Sequence, residues 1–334
     1  MNKRYILGVD GGNTKTDYFL FDTLGNFIDF YRSGTCSHEA LKDSFVGAKR
    51  EMGNAINLLL TRNNLIVDDI EASAYGLAGC DIPSQHESLV QIIKELGLNN
   101  FLVVNDSFLG IKAVSQSGAC SVCGTGTSAG GIGLDGETLQ VGGIGSIVGD
   151  EAGGSWLARS AIRATFDYYY RFGKPSSICN VVMDELGISD KKYLMEAIAT
   201  KLPKHINLTR ITKEVFNGAN NNDELCIELL KEMANNLARS LSGCVVNLDL
   251  GLNPLVIMVG SVFVKGSNDT LVNEFEKLVD KYTNKKCSFV KLTVPPATGA
   301  VIWALELATG TYPNEKIRDL ITNHVQMKLK EIES

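Results

Sequence analysis

The sequence has 334 residues, 44% hydrophobic and 21% charged, a globular balance with room for two well-packed domains. Its net charge of −6 excludes the basic surface that nucleic acid or an anionic membrane asks for. The N-terminal MNKRYILGVDGG has too short an apolar run for a signal peptide and no window could span a bilayer, so a cytoplasmic protein is expected.

The first third alternates. Tyr5–Val9, Asp17–Asp22 and Asn26–Tyr31 read as strands, joined by the glycine/threonine turn of GVDGGNTKTD and by Leu24-Gly25-Asn26. A helix is predicted over about 39–61, where Leu41, Phe45, Ala48, Met52, Ile56 and Leu59 recur at helical spacing. Strand Ala72–Leu77, helix Ser84–Leu96, strand Phe101–Asn105 and a short helix Ser107–Val114 follow. Antiparallel-looking strands leading into alternating helix and strand imply a mixed sheet with helices packed on it.

Near residue 118 the pattern restarts. CSVCGTGTSAGGIGLDGETLQVGG repeats the strand–turn–strand–turn–strand order of ILGVDGGNTKTDYFLFDTLGNFIDF. This internal duplication predicts two related domains facing each other across a cleft. Helices are then predicted over Gly154–Phe172, Ser189–Lys201 and Asp223–Leu250, followed by strand Leu255–Val259, which ends in Gly260-Ser261. Helix Thr270–Tyr282, strand Ser288–Lys291 and helix Ala297–Thr309 come next. A final helix over about 314–332 lines Ile317, Leu320, Ile321, Val325 and Leu329 along one side, a stripe expected to pack on the first domain.

Consecutive N–H groups of Gly11, Gly12 and Asn13 can converge on an anion because the glycines add no Cβ. Thr14 and Thr16 add hydroxyls, Lys15 a positive charge, and Asp10 a carboxylate able to hold magnesium through water. The loop is not of Walker A type: Thr14 stands where glycine belongs and a strand follows instead of a helix. An ordinary hairpin is the plain alternative.

The second turn, Gly124-Thr125-Gly126-Thr127-Ser128-Ala129, formally matches a dinucleotide fingerprint. The Gly130-Gly131-Ile132-Gly133 that follows would make a very poor helix, which argues against that reading. Two such hairpins on duplicated domains suit a triphosphate gripped from both sides. Asp106, ending FLVVND, is either a general base or the cap of the next helix. The glycine-dense stretch Val141–Trp156 reads as a loop flat against a ligand, with Asp150 accepting hydroxyl hydrogen bonds, or as an acidic helix start.

The eight cysteines are scattered and read as buried, reduced thiols. Cys120 and Cys123 have C-x-x-C spacing, but on a strand they point to opposite faces and cannot jointly grip a metal. The histidines His38, His86, His205 and His324 lack zinc-like or triad spacing; only His38, in GTCSHEA, stands out, and a surface role is the expected one for it.

Taken in order, GVDGGNTKTD, VVNDS, CGTGTSAG, VGGIGSIVGDEAGGSWLA, IMVGSVFVK and PPATGAVIWAL resemble the N-acetylglucosamine kinase branch of the BadF/BadG/BcrA/BcrD ATPase family nearly end to end. That family is similar to the actin-, Hsp70- and hexokinase-like phosphotransferases. The resemblance implies an α/β fold of two ribonuclease-H-like domains, residues 1–115 and 116–311, the second with a helical insertion. Helix 312–334 would cross back to the first.

It further implies a homodimeric kinase that uses ATP and Mg2+ to phosphorylate the 6-hydroxyl of an amino sugar. Asp106 would be the base, with Asp10, Gly11, Gly12, Asn13, Thr14 and Lys15 facing phosphate and magnesium beside Gly124, Thr125 and Gly126. Thr209, Gly260, Ser261 and Lys265 would lie beside the nucleoside. Ser37, His38, Thr127, Ser128, Gly143, Ile144, Gly145 and Asp150 would line the sugar site.

Two positions depart from the family pattern: Ile144 replaces the tryptophan of G-G-W-G, and Ser37 the asparagine before histidine. N-acetylglucosamine is therefore expected to compete with glucosamine and N-acetylmuramic acid as acceptor. The alternative from the same fold is an ATPase activator of a 2-hydroxyacyl-CoA dehydratase or benzoyl-CoA reductase, which shares an iron–sulfur cluster across a dimer. Only Cys120 and Cys123 are clustered here, and their strand placement argues against ligation.

Overall fold

The computed structural model describes residues 4–201 and 206–333. β1 (Tyr5–Gly11), β2 (Lys15–Asp22) and β3 (Phe27–Gly34) form an antiparallel meander. α1 (Ser44–Arg62) leads to β4 (Ile70–Leu77), and α2 (Pro83–Glu95) to β5 (Phe101–Val104). A 3-10 turn at Asp106–Phe108 then opens α3 (Leu109–Val114). The sheet order is β3-β2-β1-β4-β5, with β4 parallel to both β1 and β5. Its central strands are near-continuously apolar because both faces are covered.

The chain continues through β6 (Gly118–Cys123), β7 (Thr127–Ile132) and β8 (Thr138–Val141) into a helical run. That run comprises α4 (Gly153–Tyr170), α5 (Ile178–Glu185), α6 (Leu194–Lys201), α7 (Leu208–Asn220) and α8 (Glu224–Asn247). Then come β9 (Leu255–Val259), α9 (Ser261–Lys265), α10 (Thr270–Thr283), β10 (Ser288–Lys291), α11 (Pro296–Thr309) and α12 (Glu315–Glu333). The second sheet, β8-β7-β6-β9-β10, repeats the order of the first, so the duplicated sequence pattern is a duplicated topology. β7 is a strand where a dinucleotide fingerprint needs a helix, which removes that reading.

The helices differ from the sequence analysis in two respects. α1 starts at Ser44, well after the expected 39, because the amides of Ala40 and Leu41 turn back onto the Ser37 carbonyl and Ser44 itself sits at φ +50°. α5, α7 and α9 are helices that the reading did not mark. α7 nonetheless buries Ile211, Val215, Phe216 and Ala219 at helical spacing.

The chain divides into two compact units, residues 1–118, 131–137 and 292–334 in one, and 119–130 and 138–291 in the other. In the first unit, α1 and α2 cover one sheet face, where Leu7, Val9, Tyr18 and Tyr75 pack with Met52, Ile56 and Ile93. α11 belongs to this unit, so the contact boundary falls at residue 291, one helix before the expected 311. Gly8 explains the closeness of the fit, since a Cβ there would lie 2.5 Å from the Val301 nitrogen. At Gly299 a Cβ would lie 1.9 Å from the Leu109 carbonyl oxygen. Buried Lys112 on α3 reinforces that contact, reaching Glu306 at 2.6 Å and lying 5.0 Å from the Trp303 ring centre.

α12 lies in the same unit, with Ile321 and Val325 fully buried and Leu320, of the same stripe, partly exposed. The second unit buries its own core, built from α4, α7, α8 and α10 around β6 and β9. All eight cysteines are buried and free, Cys120 and Cys123 among them.

Candidate active site

In the first unit the sequence-predicted residues collect at the C-terminal ends of β1, β4 and β5. The β1–β2 hairpin closes tightly, with the Gly12 amide donating to the Lys15 carbonyl at 2.9 Å. This leaves Asn13, Thr14 and Lys15 exposed at the tip and Gly11 buried at its base. Gly11 must stay bare, since a Cβ there would lie 2.7 Å from a Leu77 methyl and 3.0 Å from Cys36 Sγ. The Ala78 amide donates to the Gly11 carbonyl at 2.7 Å, tying the end of β4 to the hairpin.

Asp106 follows β5. The Ser107 amide donates to Asn105 Oδ1 at 3.0 Å, so Asn105 caps the 3-10 turn and Asp106 is its first residue. The capping reading of Asp106 is thereby replaced by its neighbour. Burial and the Asp81 carboxylate push Asp106 up to about 6, opposed by backbone amides at Ser107 and Asp106 itself. Asp10 is pushed up to about 7 by burial and by the charges of Asp106 and Asp17, with Lys15 and Arg32 pulling the other way. These are carboxylates set to change protonation near neutral pH.

The segment after β3 hangs on the same hairpin. Thr35 Oγ1 donates to the Gly12 carbonyl at 2.9 Å, and the Cys36 amide donates to Thr16 Oγ1 at 3.0 Å. This places Ser37 and His38, both buried and each with a side-chain atom lacking any hydrogen bond: Ser37 Oγ and His38 Nδ1. Buried where a surface role is expected, His38 stacks on Phe45 with ring centres 4.0 Å apart, and burial holds its pKa below the usual histidine value, opposed by the Glu39 charge.

In the second unit, Gly124, Thr125, Thr209, Ser261 and Lys265 line one cavity of about 830 Å3. The turn after β6 is fixed from two sides. Gly260, at φ +101°, abuts Cys123 so closely that a Cβ would lie 2.5 Å from its carbonyl oxygen. Gly153, at φ +85°, stands the same way against Gly126, at 2.6 Å. The Gly154 and Ser155 amides donate to the Gly124 and Thr125 carbonyls at 2.8 and 3.1 Å.

α7 carries Thr209 into the cavity and adds to its wall Thr212, Phe216 and Asn217, which the sequence analysis does not single out. Its signals were the spacing of its buried residues and its Asn207 cap. Thr212 Oγ1 donates to the Gly154 carbonyl at 2.9 Å, linking that wall to the glycine loop.

One oxygen of Asp150 is committed to its own loop. Its Oδ2 accepts the amides of Gly143 at 2.8 Å and Gly145 at 2.7 Å. The carboxylate thus shapes the loop and turns Ile144 outward, 58% exposed. Thr127 Oγ1 is committed to the Val122 carbonyl at 2.9 Å. Thr127 and Ser128 are successive strand residues, so their side chains leave β7 on opposite faces.

His324 stacks on Phe27, His86 is exposed, and His205 lies outside the described residues. Among the described residues no group of three or more His, Cys, Asp or Glu side chains is arranged to hold a metal. No described helix is long and apolar enough to cross a membrane.

Comparison with known proteins extends the picture over most of the chain. The model of the BadF/BadG/BcrA/BcrD ATPase family matches residues 7–304. An N-acetyl-D-glucosamine kinase of Dictyostelium discoideum is 23% identical over 319 residues, covering 91% of this chain and 99% of that protein. An N-acetylmuramic acid/N-acetylglucosamine kinase of Clostridium acetobutylicum is 24% identical over 306 residues, covering 90% and 98%.

Among solved structures, a candidate N-acetylglucosamine kinase from Chromobacterium violaceum superposes with a TM-score of 0.63 at 19% identity, over 92% of this chain and all of that one. A ROK family glucokinase from Streptomyces griseus gives 0.52 at 15% identity, over 92% and 100%. These likenesses establish the fold.

Proposed function

The chain belongs to the BadF/BadG/BcrA/BcrD ATPase family, and from that premise we propose that it is an ATP-dependent kinase of amino sugars. The observation that carries this reading is Asp106, a strand-end carboxylate relieved of capping by Asn105 and raised to about 6 beside Asp10 and the glycine hairpin. As general base, Asp106 takes the proton of the sugar 6-hydroxyl while its oxygen attacks the γ-phosphorus. The bond from that phosphorus to the β-phosphate oxygen breaks, ADP leaves, and the proton remains on Asp106.

Asn13, Thr14 and Lys15 at the exposed tip contribute amides, a hydroxyl and a charge to the phosphates, on a turn shaped by bare Gly11 and by Gly12, whose amide donates to the Lys15 carbonyl. Thr125 and Gly126 add amides and a hydroxyl, on a turn closed by the Gly124 amide, which donates to the Gly126 carbonyl. The cavity lined by Thr209, Ser261 and Lys265, with Gly260 at its base, receives the nucleoside. Asp10 fits a magnesium ion: it is a partly buried carboxylate, crowded by Asp106 and Asp17, whose charge a cation would relieve. Magnesium commonly takes one or two carboxylates plus phosphate oxygens and water. When bound, it neutralises charge on the phosphates.

Both curated relatives named above carry N-acetylglucosamine in their names, which makes it the leading acceptor, ahead of glucosamine and N-acetylmuramic acid. To the sugar we assign Ser37 and His38 of the first unit, and Gly143, Ile144, Gly145 and one of Thr127 and Ser128 of the second, with Asp150 as the scaffold of that glycine loop. The buried free thiols suit a reducing, cytoplasmic setting, and the family resemblance supports a homodimer.

Coupled ADP release is the test, run across glucosamine, N-acetylglucosamine, N-acetylmannosamine, N-acetylmuramic acid and glucose. Asp106→Asn should abolish turnover with the preferred sugar while ATP binding persists. Turnover in that variant close to wild type overturns the reading.

A further inference from the structure

The turn after β4 carries a carboxylate for which the proposed reaction has no task. Asp81 Oδ1 accepts a hydrogen bond from Asn105 Nδ2 at 2.9 Å. At the other end of the same amide, Asn105 Oδ1 accepts the Ser107 N–H at 3.0 Å, and the Asn105 carbonyl accepts the Phe108 N–H at 3.2 Å. Asn105 is only 5% exposed, so water does not replace a lost partner, and an amide left unpaired there carries its full desolvation cost. Its orientation has one solution: a flip would set the NH2 against the Ser107 N–H and the oxygen against the Asp81 carboxylate.

Asp81 is itself held. The Asp81 and Ile82 amides donate to Gln85 Oε1 at 2.9 and 3.1 Å, fixing the turn to the first turn of α2. The paired register of β4 and β5 runs only as far as Gly76 and Val104, so the two strand ends continue past their ladder. The side-chain bond from Asp81 to Asn105 joins them there, one peptide before Asp106.

We propose that Asp81 is a positioning residue for Asp106: acting through Asn105, it sets the direction in which the end of β5 presents the base. The inference rests on the reading of Asp106 as the base. Asp81 needs no contact with substrate. Its effect follows from geometry, since a displacement of about 1 Å at a reacting group can cost about 100-fold in rate.

Asp81→Ala strands the Asn105 amide and should lower kcat with the preferred sugar by about 30-fold to 100-fold, with KM for ATP changed by less than about twofold. Asp81→Asn restores an acceptor oxygen without the charge and should recover most of that loss. Asp81→Ala combined with Asn105→Ala should be no worse than the poorer single variant, because both break one connection.

Three results would overturn the proposal: kcat of Asp81→Ala within about threefold of wild type, Asp81→Asn as impaired as Asp81→Ala, or multiplicative losses in the double variant. Should Asp81→Ala not fold, Gln85→Ala releases the same turn from its other side. A fall in kcat of about tenfold supports the inference, and a change within about twofold overturns it. The underlying reading fails separately: active Asp106→Asn removes the base assignment. Inactive Asp106→Asn with unimpaired Asp81→Ala removes only the positioning role.

Discussion

Arg32 forks onto Asp17, with Nε to Oδ1 at 2.5 Å and Nη2 to Oδ2 at 2.8 Å. The two are cross-strand partners on β3 and β2, and Asp17 is in turn opposite Asp10 on β1, so the three side chains form a row on one sheet face. The row holds a negative charge beside the candidate magnesium ligand and covers it with a planar, bidentate cation. Arg32→Met should leave buried Asp17 unpaired and cost on the order of 3 kcal/mol at neutral pH. Adding Asp17→Asn should recover most of that. Urea denaturation of the two variants checks it, and equal losses in both would show that the pair is not what stabilises the row.

The raised carboxylates predict two opposite responses to pH. Catalysis needs Asp106 deprotonated, so kcat/KM should fall as pH drops below about 6, with Asp10 adding a second proton uptake from about 7 downward in free enzyme. Stability runs the other way. Both folded values lie above the ordinary carboxylate value of 3.8, so the native state binds more protons than the unfolded one. Nucleotide-free protein should therefore lose stability as pH rises from about 4 to 7. Asp10→Asn should be more stable than wild type at pH 8 and indistinguishable below about pH 4. Thermal melts across that range decide it; a difference that persists at pH 3.5 would point to packing.

Much of this arrangement is readable in the residues because it rests on backbone. The two hairpins are marked by glycines that must be bare, Gly11 against Leu77 and Cys36 and Gly260 against Cys123, and such requirements leave a sequence trace. Asp106 could be singled out by its strand-end position but not separated from capping. Asn105 and Asp106 are adjacent cap-forming residues, and only the Ser107 N–H direction chooses between them. Asp150 is legible as part of a glycine-dense loop, yet its amide partners, Gly143 and Gly145, depend on the positive φ of Gly142, Gly143, Gly145 and Gly149, which no periodicity encodes. α11 is apolar almost all round, so its pattern could not say which sheet it would join, and Gly8 in the sequence does not name the helix it admits.

Gly260 gives a direct test of the nucleotide side. Its φ of +101° with ψ of 161° is open almost only to glycine, and a Cβ would also strike the Cys123 carbonyl at 2.5 Å. Gly260→Ala should push β9 and the turn after β6 apart, displacing Gly124 and Thr125 at the cavity mouth. ATP affinity should weaken by at least about tenfold, in line with strain of about 1–3 kcal/mol. Fluorescence titration with a nucleotide analogue measures it. Unchanged affinity would remove this turn from the nucleotide site.

Ser37 separates a ligand group from a structural one. Its side chain is 3% exposed, and Oγ makes no hydrogen bond, although the backbone around it is well tied through Thr35. A hydroxyl in that state costs the free protein stability, because burial removes water without returning a partner. If Ser37 only filled space, Ser37→Ala would leave KM for the sugar unchanged. If it awaits a sugar hydroxyl or amide, the same variant should keep or slightly raise Tm while KM for the sugar rises by about tenfold, the worth of one neutral hydrogen bond. KM for ATP should not move. Ser37→Asn, which restores the family's amide, should then shift preference toward N-acetylglucosamine over glucosamine. A fall in Tm with sugar KM unchanged would place Ser37 in the packing of the first unit instead.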